Sequence, residues 1–165
     1  MDVFISSVLG GYEAFRDAAA DAVETLGHRV VRAEDFLATP GTPQQACLEA
    51  VRQSDLVVLL LGSDYGAPQE SGLFATHEEY LEARERRPVL VFVESGVERE
   101  SAQEEFLREV QAWTSGHFRE AYSSPEELKK AVTRALHEHV LATSVGSVDE
   151  VVASAWAASW VTASV

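Results

Sequence analysis

Six consecutive apolar residues, Leu56-Val57-Val58-Leu59-Leu60-Leu61, leave this chain few folds to choose from. A strand with one face in water alternates apolar and polar side chains. A strand that is apolar at every position needs cover on both faces, as a central parallel strand has between two layers of helices. Four further short apolar runs, at 3–5, 29–31, 89–93 and 117–119, are separated by stretches of helical periodicity. Strands alternating with helices read as βαβ units. With right-handed crossovers, five such strands make a three-layer α/β fold, a doubly wound parallel sheet in the order 2-1-3-4-5 with the central run at 56–61 in its middle.

The intervening stretches carry their own punctuation. Phe15, Ala18, Ala19, Ala22, Val23 and Leu26 recur at helical spacing, and Gly27 follows where a left-handed residue closes a helix. Further helices are expected to start at Thr42-Pro43, near Thr76, near Ser101 and at Ser124-Pro125. All four starts match the capping box, in which a Ser or Thr hydroxyl accepts from the amide three residues on and a Glu or Gln reaches back. The last helix is expected to end near Leu141. On this reading residues 1–142 form the α/β domain, 143–147 a linker, and 148–165 an apolar helix or the start of a further region. Val152, Trp156 and Trp160 lie four apart in that tail, so a helix there presents an aromatic stripe that needs a partner surface.

At 165 residues the chain is one domain plus a tail. Its formal charge of −14, from 13 basic against 27 acidic residues with no Lys/Arg run, argues against a nucleic-acid partner. A small phosphorylated ligand is compatible, because local amides and one arginine can outweigh a distant acidic surface. The single cysteine, Cys47, excludes an internal disulfide and fits a reducing compartment. No export signal is visible, and the uncharged segment 151–165 is shorter than the roughly 20 residues of a membrane span. A cytoplasmic protein without membrane attachment is expected.

In a 2-1-3-4-5 sheet ligands bind where the strand order reverses, between the first and third strands. The loops above that point are 6–11 and 62–76, the first rich in Ser and Gly, the second long and holding Gly62, Gly66 and Gly72. These glycines are equally ordinary turn residues. Gly62 stands where a phosphate-accepting receiver domain has its aspartate, and Ser6-Ser7-Val8-Leu9-Gly10 is too thin a phosphate loop for FMN. Neither a P-loop nor a GxGxxG motif is present. His28, His77, His117, His137 and His139 are too scattered for a metal site. What remains is Thr76-His77-Glu78-Glu79-Tyr80. A capping box explains Thr76 and Glu79 without any chemistry, but this box alone follows the long loop of the central strand, where the Glu79 carboxylate can face a ligand. Glu78 and Glu82 point elsewhere and read as solvated.

Val3-Phe4-Ile5-Ser6-Ser7, Arg16-Asp17, Leu26-Gly27-His28, Glu34-x-Phe36 and Cys47-Leu48-Glu49-Ala50-Val51 together resemble an uncharacterised TIR-like (Toll/interleukin-1 receptor-like) domain family. The resemblance continues through Ser54-Asp55-Leu56, Gly62-x-x-Tyr65-Gly66, Thr76-x-x-Glu79-Tyr80 and Pro88-Val89-Leu90-Val91-Phe92 to residues 118–128. Such domains often stand at the N-terminus of bacterial STAND and NACHT ATPases. More distantly, Asp2-Val3-Phe4-Ile5-Ser6 resembles the opening of TIR domains, and Thr76-x-x-Glu79-x-x-x-Ala83 a segment of nucleoside deoxyribosyltransferases. In both groups the glutamate acts on an N-glycosidic bond.

The resemblance implies a TIR-like and flavodoxin-like fold and an N-glycosidase acting on NAD or a related nucleotide, with Glu79 catalytic and no metal or other cofactor. It implies further that Ser6, Ser7, Tyr65, Gly66 and Thr76 line the pocket, with Glu34 and Phe36 on the neighbouring loop. An effector in bacterial defence or signalling is the expected setting. Two residues depart from the family pattern: Asp64 stands where an arginine usually precedes Tyr-Gly, and Phe15 where an acidic residue usually precedes Arg16. The alternative reading is a non-catalytic module that self-associates into a homo-oligomer and signals to a sensor or ATPase partner.

Overall fold

In the computed structural model, which describes the backbone of residues 1–113 and 118–163 and the side chains of 1–113 and 119–144, five strands form one parallel sheet. They are β1 (Asp2–Ser6), β2 (Arg29–Val31), β3 (Leu56–Leu61), β4 (Val89–Glu94) and β5 (Phe118–Tyr122), in the order β2-β1-β3-β4-β5. This is the expected doubly wound sheet. The fifth strand begins at Phe118 and runs to Tyr122, beyond the expected 117–119, because its register against β4 extends to Glu94↔Tyr122.

All six residues of β3 are buried, and they feed two separate cores. Leu56, Val58 and Leu60 pack with Val3, Ile5 and Phe92 under the helices α1 (Glu13–Thr25) and α5 (Pro125–Ala163). Val57, Leu59 and Leu61 pack with Phe4 and Val91 under α2 (Pro43–Gln53), α3 (Ala75–Ala83) and α4 (Ser101–Ala112). The last pair between β1 and β3 is Ser6↔Leu59, whereas β3 stays paired with β4 to Leu61↔Val93. The sheet is therefore stepped at β1, which opens a crevice above Ser6.

Helix ends follow local chemistry in some places and tertiary packing in others. At the end of α1, Gly27 has φ +81. Its N–H donates to the Glu24 carbonyl and that of His28 to the Val23 carbonyl, the paired bonds of a Schellman closure. At α2 the capping box forms in full: Thr42 Oγ1 accepts from the Gln45 amide at 3.1 Å and Gln45 Oε1 accepts from the Thr42 amide at 3.0 Å. The other three expected boxes do not form as written. Helix α4 includes Ser101 and has Glu100 at its N-cap. Before α5, Ser124 Oγ accepts from the Glu127 amide, but the Glu127 carboxylate reaches the Ser123 amide and hydroxyl, one residue too early for a closed box.

Helix α3 has Phe74 at its N-cap and no side-chain cap. Thr76 lies inside the helix, 3% exposed, with a hydroxyl that finds no hydrogen-bond partner. The segment 143–147, expected as a linker, is part of the backbone of α5. Thr143 fits there because its hydroxyl donates to the His139 carbonyl at 2.9 Å, a bond internal to the helix. The expected aromatic stripe of Trp156 and Trp160 lies outside the described side chains.

Candidate functional site

A cavity of about 830 Å³ occupies the crevice above the step in the sheet. Its walls come from the end of β1 and the loop after it (Ile5, Ser7 to Gly10), the start of α2 (Thr42 to Cys47), the loop after β3 (Asp64 to Ser71) and the first turns of α3. That volume lies in the range of small-molecule sites.

Glu79 forms part of the wall and is 6% exposed. Its place follows from helix geometry: Thr76, Glu79, Tyr80 and Ala83, at spacings of three, four and seven, lie on the buried side of α3, with His77 buried beside them. A carboxylate thus occupies a position on an inward stripe. The Ser6 hydroxyl donates to Glu79 Oε2, and the Cys47 thiol is a second hydrogen-bond partner of the carboxylate. Burial raises the Glu79 pKa to about 7, although the Ser6 hydrogen bond, the nearby Arg16 charge and Cys47 favour the ionised form. Cys47 is itself pushed up to about 12 by burial and then by the Glu79 charge, so it serves as a neutral thiol.

Arg16 is 2% exposed on the inner side of α1 and lines the cavity. Its Nε and Nη2 donate to the Glu34 carboxylate at 2.7 and 2.6 Å, and Nη1 donates to Ser7 Oγ at 2.8 Å. Weaker contacts reach the carbonyls of Ile5 and Ser7. The pair ties the loop after β1 to the short 3-10 turn after β2, and the Arg16 bond keeps the Glu34 pKa below the ordinary carboxylate value against the opposing effect of burial.

The expected site residues divide into three groups. Ser7, Gly66 and Glu79 line the cavity. Ser6 and Glu34 sit one shell behind, Ser6 bonded to Glu79 and Glu34 to Arg16. Tyr65, Thr76 and Phe36 face elsewhere. The Tyr65 hydroxyl lies 2.7 Å from His77 Nδ1 and accepts from the Phe74 amide, while His77 Nε2 meets the Glu109 carboxylate at 2.6 Å and its ring stacks on Phe106. Thr76 borders a small adjoining gap with Val8, Gly62 and Gln103. Phe36 borders a separate depression beside β2.

Gly66 has φ +92, and a Cβ on it would run into the ring of Phe74, so no other residue fits there without moving that ring off the cavity wall. Glu78, expected to be solvated, lines the cavity and accepts from Ser71. Glu82 is not free in solvent but pairs with Arg52 and Arg86. Sequence reasoning passed over Arg16 and Cys47. Their signals were there: Arg16 lies three and seven residues before Ala19 and Val23 on the apolar stripe of α1, and Cys47 four before Val51 on that of α2. Among the described residues no group of three or more His, Cys, Asp or Glu is placed to hold a metal ion, and no helix is long and apolar enough to cross a membrane.

Five parallel strands in this order define a doubly wound α/β domain, and a buried carboxylate faces a cavity at its reversal point. The chain belongs to the family described as Domain of unknown function (DUF4062), whose model matches residues 2–137. No curated protein matches it in sequence. Among solved structures it is similar to the CMP N-glycosidase BcmB of Clostridium botulinum, at 15% identity over 80% of this chain and 98% of that one, with a TM-score of 0.53. It is also similar to the TIR domains of the activated Roq1 resistosome, at 13% identity over 81% of each chain and a TM-score of 0.50. At these identities the likeness is one of fold, and the fold is TIR-like.

Proposed function

We propose that this domain is an N-glycosidase that cleaves the base–ribose bond of NAD or a related nucleotide or nucleoside, with Glu79 as the carboxylate facing the sugar. The observation that carries the reading is the Glu79 side chain itself, buried, held by Ser6 and Cys47, and set in the wall of a cavity of about 830 Å³. The structural rival for this residue, a capping box with Thr76, is not formed.

Rupture of a base–ribose bond leaves positive charge on C1′. The electron pair of the C1′–N bond departs with the base, water adds its oxygen to C1′, and its proton leaves to solvent. An ionised carboxylate beside C1′ stabilises the cation or traps it covalently, as carboxylates do in glycoside chemistry. Ser6 and Cys47 aim the carboxylate, and Arg16 with Glu34 fixes the loop that carries Ser7. The fold shared with BcmB, a CMP N-glycosidase by name, supports the same class of reaction here.

The test is base release from NAD, mononucleotides and nucleosides, followed chromatographically at high protein concentration, for the wild-type chain and Glu79→Gln. The expected result is release by the wild type and a fall of at least about a hundredfold in the variant, since Gln keeps size and hydrogen bonding but not the charge. An active Glu79→Gln protein rules this site out. No release by either protein, with both folded, favours a non-catalytic assembly module.

A further inference from the structure

The charges around the cavity are lopsided. Asp64, Glu70, Glu78 and Glu79 all line it. Of the chain's 13 Lys and Arg residues, all among those described, Arg16 alone lines it. Its five N–H groups are matched by five acceptor contacts: two with Glu34, two with Ser7 and one with the Ile5 carbonyl. Glu34 neutralises it at 2.6 Å. No donor of this guanidinium is left over for a phosphate. Two helix N-termini border the cavity: at α2 Thr42 takes the Gln45 amide and Pro43 has no N–H to offer, while α3 has no side-chain cap and carries Glu78 in its first turn. Phe74 adds an aromatic surface to the same wall, and the face of such a ring attracts a cation.

We infer that the cavity selects a nucleoside without phosphate whose base carries positive charge, and disfavours the 5′-phosphorylated form of the same compound. This rests on the N-glycosidase reading and narrows its substrate class. A 5′-phosphate brings about two negative charges among four carboxylates with no free cationic side chain to meet them. A cationic base brings the opposite sign. It also leaves as a neutral molecule, so its departure calls for no proton donor and Glu79 has only the sugar cation to stabilise.

Three compounds sharing one glycosidic bond separate the charges: nicotinamide riboside, nicotinamide mononucleotide and NAD. At low ionic strength the expected kcat/KM for the riboside is at least tenfold that for the mononucleotide and NAD, with the gap narrowing as salt is added. Asp64→Lys is expected to narrow it further. Equal or better hydrolysis of either phosphorylated compound overturns the inference while leaving the N-glycosidase reading intact, and would assign the phosphate to backbone amides of the loop after β1. Should nothing be hydrolysed, that reading fails first, and binding decides the inference alone. Calorimetry on Glu79→Gln, where turnover does not intervene, is then expected to show the riboside bound at least tenfold more tightly than the mononucleotide. Equal affinities, a reversed order or no binding of either overturns it.

Discussion

At Glu79 burial and hydrogen bonding pull in opposite directions, and burial wins. The carboxyl titrates near 7 instead of its ordinary 4.5. The folded state therefore holds a proton that the unfolded chain gives up, and the stability this confers is full below about pH 4.5 and lost as pH rises to about 7. The shift corresponds to something on the order of 3 kcal/mol. Removing the carboxyl with Glu79→Gln is expected to flatten that part of the stability profile, so that the variant gains on the wild type between about pH 5 and 8. Thermal melts of both proteins across this range check it, and parallel profiles would show a carboxyl titrating normally. Catalysis runs the other way. If the anion stabilises the sugar cation, activity rises through about pH 7 to a plateau. The tightest form of the protein and its active form then lie on opposite sides of one titration.

Helix starts test how far a local motif reaches. Thr42→Ala is expected to cost about 1 kcal/mol, because it removes a cap that is made. Thr76→Val should cost nothing or stabilise slightly, because its buried hydroxyl has no partner and a methyl fills the same space. Urea midpoints of the two variants give the comparison, and a loss at Thr76 equal to that at Thr42 would mean the hydroxyl is satisfied after all. The two threonines carry the same pattern, T-x-x-E/Q, and only one is a cap. Where α3 begins is set by the need to lay Tyr80 and Ala83 on β3 and β4, which the four-residue pattern does not encode.

The sheet order, by contrast, was legible, since an all-apolar β3 and amphipathic α1 state their burial residue by residue. The geometry of the candidate site was legible in part. Glu79 could be found from its place after the long loop, whereas the roles of Arg16 and Cys47 depend on contacts with residues distant in sequence, Glu34 and Glu79. Tyr65 misled for a related reason: it sits in the right loop, but His77 draws its hydroxyl to the far side of α3.

For the whole molecule, α5 is where domain and tail meet. Leu128, Ala131, Val132, Ala135 and Leu136 are buried against α1 and the sheet, and Val140 packs at the edge of the same core. Leu141 to Ser144 are exposed, so the helix has left the domain by that point. After Glu150 the sequence has no charged residue, and it carries Trp156 and Trp160 at helical spacing. A segment of that composition, joined to the domain without a break in the helix, is suited to packing on another copy of itself. Ending the chain after Ala142 is expected to leave the melting temperature within a few degrees, since the core residues of α5 among the described side chains all precede the cut. It should leave the cavity's ligand affinity unchanged for the same reason. The mass from light scattering should fall from an oligomer for the full chain to a monomer for the shortened one. A large drop in melting temperature would instead mean that the tail folds back on its own domain, and equal masses would place any self-association within residues 1–142.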